Sequence, residues 1–424
     1  IYRQSKDNEK ELQRLRRSVT SEADLEKILL LSQENQALSL RLYKECMEFA
    51  DFTDYISYGW RDVQKELGNT DVAIEFADIK ISPFDTDNLM IALVLTSEMK
   101  VPAIVRVCNL EEAKSMEADD SLFGVRQNVV WEALKQYIDG RRRIFFSADD
   151  CFNRIGIEYL PYNGVSLSEQ FEVYRLSSTK ELCYRHPEIR VRKAALFGDI
   201  NYNDMLVTTS NIETNNEDGQ RISGGDGIFA DLSNTLKEID GIYDLLKSHN
   251  INDVQRFTDV KASKTNFKRL TDSDINLLHI ATHGVYKEKS GSTDEESMLN
   301  SQLAFAGANL GDEGIVTAAD VSVMNLRECD LVVLSACETG LGKLGDDGVF
   351  GLQRGFKNSG VHTLLISLQK VYDKATAELM NLFYKNLMEG LPKRESLIKA
   401  QQELRSKGYE DPKYWATFIL LDAY

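Results

Sequence analysis

No stretch of this sequence approaches the ~18 consecutive apolar residues of a membrane-spanning helix, and its first residues are polar and basic with no apolar core of the kind a secretory signal carries. No membrane association is expected, and the chain reads as cytoplasmic. Basic residues are outnumbered, with 50 Lys and Arg against 67 Asp and Glu for a formal net charge of −17. That surplus repels polyphosphate, so nucleic acid is not indicated as a ligand, and basic protein partners suit the field better. The six cysteines, at 46, 108, 151, 183, 329 and 337, form no CxxC pair and no framework spacing, so neither a disulfide scaffold nor a metal site is expected and the thiols should be reduced. The glycine-rich stretches Gly340-Leu341-Gly342 and Gly345-Asp346-Asp347-Gly348 carry acids and no following Lys-Ser or Lys-Thr, which excludes a phosphate-binding loop; no cofactor is implied.

What is present is a globular balance, 42% hydrophobic and 28% charged, in a chain of 424 residues, longer than the roughly 100 to 200 residues of one domain. Between Glu9 and Asp51 there is neither Pro nor Gly, and Leu12, Leu15, Leu25, Leu29, Leu38 and Leu42 recur at helical spacings. Residues 1–52 therefore read as a helical arm, and because one or two helices cannot bury such a face alone, it is expected to be the end of a repeat array. Residues 53–189 read as an α+β supporting lobe, with β-like runs at Val72–Ile81, Met90–Ser97, Ala103–Cys108, Arg143–Ser147 and Ile155–Leu160 and a helix over Phe123–Ile138. Close succession of these strands favours antiparallel hairpins.

Residues 190–424 alternate strand with helix, the signature of an α/β fold with a mostly parallel sheet flanked by helices. The strands are Lys193–Phe197, Ile275–Ala281, Cys329–Ala336, Thr363–Leu368 and Phe418–Leu421. The helices are Leu232–Lys247, Lys264–Leu270, Gly348–Asn358, Ala375–Met388 and Lys393–Ser406. Asn203–Gly227 and Lys287–Ser297, rich in small polar and charged residues, read as exposed loops.

In such a sheet, reactive groups gather beyond the carboxyl ends of strands. Two ends stand out. Asn276-Leu277-Leu278-His279-Ile280-Ala281-Thr282-His283-Gly284 carries His283 just past a buried strand, and Cys329-Asp330-Leu331-Val332-Val333-Leu334-Ser335-Ala336-Cys337 carries a thiol to the corresponding place. A free thiol with pKa ~8.5 is mostly protonated at neutral pH, and a neighbouring imidazole can take its proton to make the nucleophilic thiolate. Backbone N–H groups of Gly284 and Cys337 would then hold the oxyanion, a kind of contact worth roughly 3 to 4 kcal/mol where measured. The separation of 54 residues with His first matches the roughly 50 quoted for caspases. His279, one strand-step earlier, is expected to be structural, and Glu338 is given no proton-transfer role because a carboxylate near a thiol raises its pKa.

The segments Ala281-Thr282-His283-Gly284 and Leu334-Ser335-Ala336-Cys337-Glu338-Thr339-Gly340-Leu341-Gly342 resemble the two signature motifs of the CHAT family, caspase-like peptidases often fused to tetratricopeptide repeats and distantly related to separase. The resemblance extends through Leu196-Phe197-Gly198-Asp199, Ala304-Phe305-Ala306-Gly307-Ala308-Asn309, Gly348–Phe356 and Tyr414–Ile419. It implies a caspase-hemoglobinase fold for residues 190–424, a His283–Cys337 dyad with its oxyanion hole at Gly284 and Cys337, and an arm that ends a repeat region. It also implies a protein substrate, a protein activator engaging the upstream repeats, and a setting in bacterial defence.

Where such sequences read Ser-Leu-Trp-x-Val-Asp-Asp, this chain has Ser367-Leu368-Gln369-Lys370-Val371-Tyr372-Asp373. Related peptidases receive a P1 Arg or Lys in an acidic pocket, which makes Asp373 a substrate-binding candidate, with a helix N-cap as its blander role. Asp346 and Asp347 are candidates for the rim of the same pocket, or solvated turn residues. The expected function is a cysteine endopeptidase cleaving after a basic residue; the alternative is a catalytically silent scaffold for protein–protein interaction.

Overall fold

The computed structural model describes residues 58–80, 88–117, 129–184, 190–203, 228–286, 293–337, 339–345 and 348–424, with a few separate positions among the first 38. The expected arm over 1–52, most of Asn203–Gly227, and Glu338, Asp346 and Asp347 thus lie wholly or largely outside the described residues.

The apolar runs become the strands of one eleven-stranded sheet. In chain order these are β1 (Asp71–Lys80), β2 (Asn88–Leu95), β3 (Ala103–Asn109), β4 (Arg143–Ser147), β5 (Glu172–Leu176), β6 (Lys193–Ile200), β7 (Asp253–Asp259), β8 (Leu277–Ala281), β9 (Leu331–Ser335), β10 (Thr363–Ser367) and β11 (Phe418–Leu421). Their order across the sheet is β3-β2-β1-β4-β5-β11-β10-β9-β8-β6-β7. The outer β1–β2–β3 meander is antiparallel, as close succession of strands favours, and β11 runs antiparallel to β10; the remaining neighbours are parallel. Every residue of β8, β9, β10 and β11 is buried, as strands covered on both faces must be. The covering helices include α1 (Trp60–Glu66), α2 (Thr235–Ser248), α3 (Leu352–Asn358), α4 (Asp373–Met388) and α5 (Lys393–Ser406).

Several expectations are corrected. Ile155–Leu160 is not a strand: it follows the 3₁₀ turn Asp150–Arg154 and contains a second, Ile157–Tyr159, and its apolar residues are buried without strand pairing. Lys287–Ser297 is not all loop, because Asp294 begins a helix running to Asn300 that is closed by a reciprocal cap between Thr293 and Glu296. Gly348–Gly351 pairs with Gly342–Gly345 in a hairpin before α3 begins at Leu352. The described part of Phe123–Ile138 is two short helices, Val129–Ala133 and Lys135–Ile138. The strands β5 and β7 have polar alternation too weak to mark them in the sequence.

The sheet runs unbroken across residue 190, since β5 lies beside β11 with Leu421 opposite Arg175. The join is polar. Asp422, buried and in the left-handed region at φ 55, accepts Ser177 N–H at 2.7 Å and Ser177 O–H at 3.0 Å, and pairs with Lys357 Nζ at 2.7 Å. Glu181 shares this cluster, its Oε1 lying 3.3 Å from Ser177 Oγ. Burial, then the charge of Asp422, push its carboxyl up to about 7 against the pull of Lys357 and Ser177.

A carboxyl raised above its unfolded value of about 4.3 holds its proton more tightly in the folded chain, so its contribution is complete below that pH and is lost as pH rises towards 7. Urea midpoints of the native chain and Glu181→Gln should therefore diverge between pH 5 and pH 8, the native chain losing stability relative to the variant. A difference that stays flat across this window would remove Glu181 from the join.

Candidate active site

The geometry begins with register. β8 and β9 run parallel with Leu277 opposite Leu331 and Ala281 opposite Ser335, and the pairing continues with Thr282 N donating to Ser335 O at 3.3 Å. Two residues further on, each chain reaches the carboxyl edge of the sheet, one at His283 and the other at Cys337. Gly284 rests directly on the backbone of Cys337: a Cβ there would lie 2.3 Å from the Cys337 carbonyl oxygen and 3.0 Å from Thr339 Cγ2, so only glycine fits. The two motifs picked from sequence thus meet backbone to backbone.

Each side is pinned by hydrogen bonds that sequence does not reveal. His283 O accepts from Ala304 N at 3.0 Å, and Gly284 follows as the next residue of a short antiparallel pairing, opposite Leu303. Because bonded and non-bonded pairs alternate in such a ladder, the Gly284 N–H is turned away from that partner strand. On the Cys337 side, Gly340 N donates to Ser367 O at 2.7 Å, and Ser367 N donates to Thr339 Oγ1 at 3.0 Å, stitching the segment after Cys337 to the end of β10. Arg154 Nη2 donates to Gly342 O at 3.1 Å, so the region before residue 190 also touches this segment.

His283 is 1% exposed and Cys337 0%. The rings of Tyr202 and Phe229 lie against the imidazole at centroid distances of 5.1 and 5.5 Å, and its Nε2 sits 2.7 Å from the Ala230 carbonyl oxygen. A carbonyl only accepts, so Nε2 carries the hydrogen; in the neutral ring the basic lone pair is then on Nδ1. Neither ring could be singled out from sequence, and a main-chain carbonyl leaves no residue signature at all.

Asp373 is not a helix N-cap. It is the first residue of α4, after Tyr372, and its Oδ2 accepts Asn234 N–H at 2.9 Å and Asn234 Nδ2–H at 2.6 Å across the gap to the start of α2. The carboxylate is buried and held by the same 228–234 segment that caps His283. The rim candidates Asp346 and Asp347 fall outside the described residues.

His279 lies in the core, with Nε2 3.0 Å from Glu238 Oε1 and Nδ1 3.2 Å from the Tyr384 hydroxyl, all three residues fully buried. It ties β8 to α2 and α4. None of the described cysteines is in a disulfide, and burial pushes the thiols of Cys108 and Cys329 up to about 11 and about 12. Among the described residues no helix is long and apolar enough to cross a membrane.

A family model described as CHAT domain matches residues 127–423. Tetratricopeptide repeat protein 28 of Homo sapiens is 33% identical over 135 residues, which is 30% of this chain and 5% of that protein. Its counterpart in Mus musculus is 34% identical over 110 residues, 26% of this chain and 4% of that one. The chain thus spans a small fraction of the length of these curated relatives. Among solved structures, the Saccharomyces cerevisiae separase–securin complex aligns over 95% of this chain and 34% of that chain, at 11% identity and a TM-score of 0.51.

Replacing Gly284 by Ala should force apart the two backbones that carry His283 and Cys337. The expected loss, read from urea unfolding, is roughly 1 to 3 kcal/mol, the range for inserting a methyl into a packed site. Unchanged stability would mean that the two segments do not touch.

Proposed function

The chain belongs to the CHAT domain family, and on that premise we propose that it is a cysteine endopeptidase in which Cys337 is the nucleophile and His283 the base. The observation that carries this reading is the meeting of the two strand ends, with Gly284 against the Cys337 carbonyl. His283 takes the thiol proton, Cys337 Sγ attacks the scissile carbonyl carbon, and the N–H groups of Gly284 and Cys337 hold the oxygen as it becomes negative. The C–N bond breaks as the imidazolium returns its proton to the leaving amine, giving a thioester. Water, deprotonated by His283, then splits the thioester and releases Cys337.

The proposed substrate is a protein cut after a basic residue. Asp373 is its candidate P1 partner, with Asp346 and Asp347 as rim candidates, and the net charge of −17 favours basic segments in general. In the state described, Asp373 holds Asn234 and both dyad residues are buried, so a peptide enters only after the residues that cover them shift. That closure supports activation by a protein partner, for which upstream helical repeats are the proposed docking element. It also fits the second reading, a silent scaffold.

Incubation with a peptide library diverse at P1, comparing the native chain with Cys337→Ala, tests the assignment. Cleavage after Lys or Arg by the native chain should fall on the order of 10³-fold or more in the variant. Products common to both would remove Cys337 from the mechanism. Absence of cleavage by either, joined to absence of alkylation at Cys337, would favour the scaffold.

A further inference from the structure

Residues 204–227 lie outside the described residues, and the described residues on either side of them are bonded to one residue, Asn309. Asn309 N donates to Tyr202 O at 2.9 Å, and Asn309 Nδ2 donates to Asn203 Oδ1 at 2.9 Å. On the other end, Asn309 Oδ1 accepts from Phe229 N at 2.7 Å while Nδ2 donates to Phe229 O at 2.9 Å. Both amide hydrogens are used, and flipping the amide would set an NH₂ against the Phe229 N–H, so the network fixes its orientation.

The residues gripped are those that face the imidazole. Tyr202 and Phe229 flank the His283 ring, and Tyr202 O–H lies 3.1 Å from Thr282 Oγ1, next to His283 in the chain. Ala230, whose carbonyl receives Nε2–H, comes directly after Phe229, so the peptide that sets the tautomer is one residue from the grip. Asn309 itself sits on a rigid base: Gly307, at φ 81, donates N–H to Asn201 O at 3.1 Å. A Cβ on Gly314 would fall 2.1 Å from Ala308 N, so that turn is packed down to its backbone.

We propose that Asn309 is a positioning residue that holds the Ala230 carbonyl on His283 Nε2 and so keeps the basic lone pair on Nδ1. This rests on the reading of His283 as the base and adds to it a reason for the Gly307-Ala308-Asn309 segment. Asn309 makes no contact with the reacting atoms; it acts through Ala230, Phe229 and Tyr202. Lost order at the carbonyl lets the ring exchange its hydrogen between the two nitrogens, and the fraction with a basic Nδ1 falls.

The test reads the tautomer directly. In the full chain labelled with ¹⁵N-histidine, long-range ¹H–¹⁵N correlation above the imidazole pKa should show His283, identified by its loss in His283→Gln, as a single Nε2–H form. In Asn309→Ala and Asn309→Asp it should become a mixture of both forms, with a native thermal transition retained. Asn309→Asp keeps the volume and the acceptor for Phe229 N–H but loses the donors, and is the variant read if Asn309→Ala does not fold. A single Nε2–H form in a folded variant would overturn the proposal. If the native chain neither cleaves the library nor is alkylated at Cys337, the endopeptidase reading fails, yet the tautomer measurement still decides the role of Asn309.

Discussion

Five register pairs between two parallel strands, from Leu277 opposite Leu331 to Ala281 opposite Ser335, fix where the imidazole and the thiol can be. Both strands are buried on both faces, which leaves no room for slippage, since a one-residue shift would turn every side chain to the opposite layer. Given that register, equal overhangs of two residues bring His283 and Cys337 to the same edge. The closeness of approach is then a matter of volume, and the missing Cβ of Gly284 permits it. Thr339, Gly340 and Ser367 hold the thiol side of the edge, and Ala304 holds the imidazole side.

A single short segment, residues 228–234, meets both the proposed base and the proposed P1 acid. Its carbonyl at Ala230 orients His283, and its amide at Asn234 occupies Asp373. These two contacts have different consequences. The first is one a working base needs, because it fixes which nitrogen is basic. The second keeps a substrate side chain from Asp373. A transition that frees Asp373 while leaving Ala230 in place would uncover the proposed P1 acid without disturbing the proposed base, and the bonds of Asn309 to Phe229 hold the Ala230 end of the segment.

Much of this was legible in the sequence because it depends on runs of apolar residues and on the few residues just past their ends. β4, β11 and α5 fall where the pattern puts them, and the strand ends carrying His283 and Cys337 announce themselves by Thr-His-Gly and Ala-Cys. Less was visible where burial does not imply pairing: Ile155–Leu160 is as apolar as a strand but is buried around a 3₁₀ turn at Ile157–Tyr159. β5 and β7 escaped because half-polar strands look like loops. His279 and His283 differ by four residues on one chain, and distance past the strand's last buried pair separates a core histidine bonded to Glu238 from one at the edge. Contacts made by main-chain atoms, such as Ala230 on His283, leave no trace in composition or spacing.

The central claim is that a sulfur and an imidazole share a proton at this edge. Its most direct measure is the pH dependence of iodoacetamide alkylation at Cys337, followed by mass spectrometry of that peptide in the native chain and in His283→Ala. A shared proton predicts reaction in the native chain with a midpoint below the ~8.5 of an ordinary thiol, and a return to that value when the imidazole is gone. The same profile in both proteins, or no reaction at Cys337 in either, would contradict it.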